Sequence, residues 1–111
     1  PSLYSGNLTL VQVYDPATDS WATVAPITSA RRGIAVTTAH GFVYAIGGNN
    51  GGSVFTLAQR YDVATGTWTT IAPMPTPRTF AGAAALGNRL YVIGGDNAYF
   101  TTYATNEAYE P

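Results

Sequence analysis

"RLYVIGGDN" at residues 89–97 restates a phrase written 47 positions earlier, "FVYAIGGNN" at residues 42–50. Each is a run of aromatic and aliphatic residues suited to a strand, stopped by two glycines. Working outward, residues 14–50 align with 61–97 without a gap. Tyr14/Tyr61, Asp15/Asp62, Trp21/Trp68, Pro26/Pro73, Arg31/Arg78, Tyr44/Tyr91, Gly47/Gly94 and Gly48/Gly95 are among the identical pairs. A third copy begins at "NEAYEP" (106–111), which repeats "AQRYDV" (58–63) and "VQVYDP" (11–16), now at an offset of 48. The extra residue lies between Asn97 and Tyr109, which marks that stretch as a loop.

Within one repeat the breakers are regular. "GIAVTTA" (33–39) and "AGAAAL" (81–86) are strands of small apolar residues, followed by "HG" and "GN", two-residue connections suited to hairpins. The double-glycine strand comes next, then a loop, then the strands holding "QRYD" and "NEAYE". A turn, "PATDS" or "VATGT", leads to a last strand carrying Trp21 or Trp68. Asp19 and Gly66 share one position of that turn, which predicts a left-handed backbone there. Each repeat thus reads as four antiparallel strands, and such units at this period make β-propeller blades.

The chain resembles the kelch-repeat family, whose signature combines a double glycine, a Tyr-Asp pair and a tryptophan. Gly47-Gly48, Tyr61-Asp62 and Trp68 carry that likeness, with Tyr14-Asp15 and Trp21 before them and Gly94-Gly95 and Tyr109-Glu110 after. The last copy has Glu110 where the family has aspartate. The resemblance implies an all-β partial propeller of about two and a third repeats. Residues 1–26 would give the third and fourth strands of one blade, 27–73 a complete blade, and 74–111 the first three strands of the next. The small-residue strand would line the central axis and the tryptophan strand the wide rim. A closed ring takes about four to eight blades, roughly 190 residues or more at this period. The segment is therefore expected to belong with further kelch blades, either in the same chain or in other copies.

Composition narrows the function. The chain has 111 residues, 46% of them hydrophobic, enough to bury a core. Its net charge of −1 lacks the basic excess of a phosphate-reading protein, so nucleic acid is not an expected partner. No apolar run reaches the roughly 18 residues of a membrane helix. Cysteine is absent, which removes disulfides, thiolate metal sites and a cysteine nucleophile. Few charges with much Thr, Gly, Asn and Tyr favour an extracellular or cell-surface setting over a cytoplasmic one.

Catalytic chemistry has little to build on. His40, the one histidine, falls in a hairpin turn without evident partners. Asp15, Asp62 and Glu110 share a repeated slot, which favours bracing the following turn over acid catalysis. "GGNNGG" (47–52) opens no helix and makes a poor phosphate loop. "NLT" (7–9) fits a glycosylation site, a pattern with meaning only in a eukaryotic secreted protein. No enzyme activity, metal or cofactor is expected.

Binding residues are more plausible. In an up-and-down blade, the loops after the second and fourth strands leave the same face. That face gathers Arg31, Arg32, Asn49, Asn50, Phe55, Arg78, Asp96, Asn97, Tyr99, Phe100 and Tyr103. Arginines and aromatics commonly carry interface energy. The kelch resemblance implies a partner on this face, with arginines at the Arg31 and Arg78 position among its contacts. The competing reading is that each arginine recurs because it packs within its own blade. The expected function is a non-catalytic module binding a protein or glycan. An assembly subunit that pairs open blade edges, or a non-catalytic part of a propeller enzyme, is the alternative.

Overall fold

The computed structural model describes residues 9–97 and 106–110. Within them lie nine strands and no helix. Among the described residues strands β1 (Val11–Asp15) and β2 (Ser20–Val24) pair only with each other. Strands β3 (Ala35–Ala39), β4 (Phe42–Ile46), β5 (Ala58–Asp62) and β6 (Thr67–Ile71) form a four-stranded antiparallel sheet in chain order. The third sheet holds β7 (Gly82–Leu86), β8 (Arg89–Ile93) and β9 (Asn106–Tyr109). This is the all-β blade arrangement that the repeat predicts.

Local chemistry accounts for the turns. His40 and Gly41 both have positive φ (52° and 84°), the mark of a type I′ hairpin. In the matching hairpin Gly87 has φ 61° at the first turn position, where a type II′ turn wants glycine. Asp19 (φ 53°) and Gly66 (φ 72°) are both left-handed, as their shared turn position requires. The Asp62 carboxylate accepts from the Ala64 amide at 2.9 Å, and Asp15 does the same for Ala17. The repeated aspartate therefore braces its turn.

The core lies between the second and third sheets. Tyr44 and Ile46 of β4 are buried against Leu90 and Val92 of β8, with Ala35, Ala58 and Met74 around them. Strand β3 lies beside β7, as small-residue strands converging on an axis should. At the outer edge Tyr61 and Trp68 sit directly opposite each other with ring centroids 5.2 Å apart, and Tyr14 and Trp21 repeat that pair. The Trp68 indole N–H also donates to the Ala25 carbonyl at 2.8 Å, tying the second blade to the end of β2. Among the described residues Trp21 has no such bond, and it is 68% exposed.

A different surface remains on the other side of β4. Val43 and Ala45 face a cleft of about 690 Å3, closed opposite by Leu10, Val11 and Val13. Between the second and third sheets, Tyr44 and Ile46 fill the equivalent space. The cleft thus has the size and lining that a β4-like strand would occupy beside β1.

Candidate functional site

The loops leaving β2, β4 and β6 meet at one end of the blades, opposite the His40-Gly41 and Gly87-Asn88 hairpins. Each blade joins its incoming loop to the exit of its second strand by a two-way backbone pair. Arg32 and Asn49 exchange bonds of 2.9 and 2.8 Å, and Thr79 and Asp96 exchange bonds of 2.9 and 3.0 Å. Glycine permits this approach. A Cβ on Gly48 (φ 99°) would lie 2.7 Å from the Arg32 carbonyl oxygen, and one on Gly95 (φ 86°) the same distance from that of Thr79. The double glycine therefore serves the loop-bearing face as well as ending the strand.

Bonds between blades weld these loops together. The Gly48 amide donates to the Arg78 carbonyl and the Phe80 amide to the Gly33 carbonyl, both at 2.8 Å. Met74 N–H reaches the Thr56 carbonyl at 2.9 Å, and the Asn49 side-chain amide donates to Thr79 Oγ1 at 2.7 Å. Two blades thus present one continuous surface, with its backbone held from both sides.

Arg31 and Arg78 do not present themselves on that surface. They are 3% and 1% exposed, and each turns into its own blade. Arg31 donates to the Gly47 carbonyl at 2.5 Å and to Gln59 Oε1 at 2.6 Å. Arg78 donates to the Gly94 carbonyl at 2.8 Å and, through Nε, to Glu107 Oε1 at 3.0 Å. The physical reason is shared. Strand pairing stops at the double glycine, and the arginine supplies the donor that the orphaned carbonyl there requires. Gln59 and Glu107 occupy equivalent places on the third strand of each blade. Burial lowers the pKa of Arg31, and its Nε has no acceptor. The expectation of direct ligand contact by these two arginines gives way to the packing reading.

The other candidates divide. Asn49 is buried, its side chain spanning the Gly51 amide and Thr79. Asn50 is exposed, but its Oδ1 accepts from the amides of Gly52 and Ser53, bracing the loop as an Asx turn. Phe55, Asp96 and Asn97 are half-buried, and Arg32 is exposed at the rim. Tyr99, Phe100 and Tyr103 lie outside the described residues. One surface residue escaped the sequence reading: Phe80, 65% exposed, where the other repeat has Gly33. The signal was a mismatch within the repeat, while attention went to the matches.

Among the described residues no group of three or more His, Cys, Asp or Glu is placed to hold a metal. His40 is exposed in its hairpin at the far end. Among the described residues the loop-bearing face thus carries the exposed Arg32 and Phe80, amide groups and the half-buried Asp96.

Comparison with curated proteins finds no match. The family model for the kelch motif matches residues 30–75 and 77–109, most of the chain. Kelch repeats are modules that generally mediate protein interactions. On this match, and on the blades that bear it out, the chain belongs to the kelch-repeat family.

Proposed function

We propose that this chain is a non-catalytic binding module that takes a partner protein across its loop-bearing face. The observation that carries the reading is the fusion of loops from two blades into one braced surface, with Arg32, Asn50, Phe55, Phe80 and Asp96 along it. Backbone held by reciprocal bonds is pre-organised, so little ordering entropy opposes binding. The opposite end of the blades carries short hairpins and turns, with no comparable joining of neighbouring blades among the described residues.

The test compares two arginines of equal charge at opposite ends. Peptides are enriched on the wild-type chain from a phage-displayed random library, and their affinities are measured for Arg32→Ala and Arg89→Ala. Arg32→Ala should weaken binding by more than about 1 kcal/mol, and Arg89→Ala should leave it unchanged. A larger effect from Arg89, which pairs loosely with Glu110 at 3.7 Å, would place the binding face at the wrong end. Glycans enriched on an array in place of peptides would keep the face and change the partner.

A second reading rests on the apolar cleft. Among the described residues β1 pairs only with β2, and the cleft beside it matches a β4-like strand in lining and size. Blade completion by further kelch strands, from the same or another chain, is the use we assign to that surface. It coexists with partner binding at the loop-bearing face.

A further inference from the structure

We propose that Phe80 is the anchor of the loop-bearing face: an aromatic ring held outward by a strained backbone to receive an apolar side chain of a partner protein. The inference rests on the face assigned above and names the residue and the partner chemistry.

Phe80 and Gly33 are equivalent positions of the repeat, and both are left-handed, with φ 58° and 65°. Glycine adopts this conformation freely, whereas a side chain with a Cβ resists it and a bulky one most of all. Among the described residues only Asp19 and His40 share the condition without being glycine, and both sit in tight turns whose geometry demands it. Phe80 sits in no hairpin. Its backbone is fixed from outside, by the bond from its amide to Gly33 and by the pairing of Thr79 with Asp96. Strain of this kind persists where surrounding structure over-determines it, and it concentrates at sites of function.

The ring gains little from its own chain in return. It remains 65% exposed, with Cε1 and Cζ lying over Gly33, where an added Cβ would come within 3.2 Å of both atoms. Glycine at 33 therefore keeps room first for the Thr79 hydroxyl, which an added Cβ would meet, and then for the aromatic at 80. The next residue before Gly33 is Arg32, exposed and without an ion pair among the described residues. The ring lies over Gly33 at the start of the innermost strands, and the Arg32 guanidinium reaches the 49–54 loop, where Nη2 would lie 3.6 Å from a Cβ on Gly51. The matching ligand is an extended protein segment with a large apolar side chain next to a carboxylate. The ring would pack on the first, and Arg32 would pair with the second.

Phe80→Gly tests this, because it installs the residue that the other repeat already uses. Peptides are selected on the wild-type chain from a phage-displayed random library and measured against wild type, Phe80→Gly and Ser53→Arg, which crowds the neighbouring loop. The enriched peptides should pair an acidic residue with Leu, Ile, Phe or Trp. Phe80→Gly should lose at least about tenfold in affinity while its melting temperature holds or rises. Unchanged affinity in Phe80→Gly with loss in Ser53→Arg would overturn the anchor and leave the face standing. No effect of either variant would overturn both. A lower melting temperature for Phe80→Gly would make the ring structural and overturn the proposal, as would a failure to enrich peptides or Phe80-dependent binding of glycans alone.

Discussion

The second and third blades hold the same arginine clasp with different partners. In the second, Arg31 faces the neutral Gln59, and its Nε is left without an acceptor. In the third, Arg78 faces the carboxylate of Glu107, which takes that same nitrogen and the Thr76 hydroxyl as well. Both arginines reach the carbonyl of the first glycine of the pair. The difference shows which part of the clasp the fold requires. The bond to the strand end is constant, while the partner on the third strand is free to vary in charge. The identical arginine holds the blade, and its partner on the third strand varies without leaving the interior.

Removing the arginine should hurt both blades, and the third more. Arg78→Ala leaves Glu107 half-buried without its cation and should cost about 3–5 kcal/mol in chemical denaturation. Arg31→Ala strands a neutral amide and a carbonyl and should cost about 2–3 kcal/mol. Equal losses would mean that the carboxylate adds nothing to the clasp.

The two tryptophans extend the comparison to the rim. Trp68 is half-buried and bonded to Ala25 of the neighbouring blade, so Trp68→Ala should cost about 2–3 kcal/mol. Trp21→Ala, at a site 68% exposed and packed mainly on Tyr14, should cost under about 1 kcal/mol. A reversal would show that the rim is held by the tyrosine–tryptophan pair alone and not by the bond between blades.

A smaller effect sharpens the arginine comparison. Gln59→Glu gives the second blade the carboxylate of the third and offers Arg31 Nε an acceptor. Thr28, whose hydroxyl now accepts from the Gln59 amide, can donate instead. A gain of about 1 kcal/mol in denaturation is expected. A loss of that size would mean that the two clasps differ in more than their partner.

Most of the fold was legible in the sequence, because one period carried it. Glycine pairs, hairpin dipeptides and the Tyr-Asp slot recur at one spacing, and each has a local physical cause that survives without tertiary context. The site was less legible. An arginine at position 31 or 78 reads the same whether it meets a ligand or a backbone carbonyl. Only the register that brings Gly47 and Gly94 beneath it decides, and that register is tertiary. Asn49 was drawn inward by the same close approach of loops. Phe80 was hidden for the opposite reason: a left-handed backbone at its position is evident only from Gly33, and a phenylalanine there contradicts ordinary preference. Its signal was the exception to the repeat.

The claim that recognition belongs to the loop-bearing face is tested most directly by amide hydrogen exchange. The chain would be measured alone and saturated with a peptide enriched on it. Slower exchange is predicted at residues 32–33, 50–54, 79–80 and 96–97, with no change at 40–41, 63–66 and 87–89. Protection confined to the hairpin residues 40–41 and 87–89 would contradict the assignment of the face.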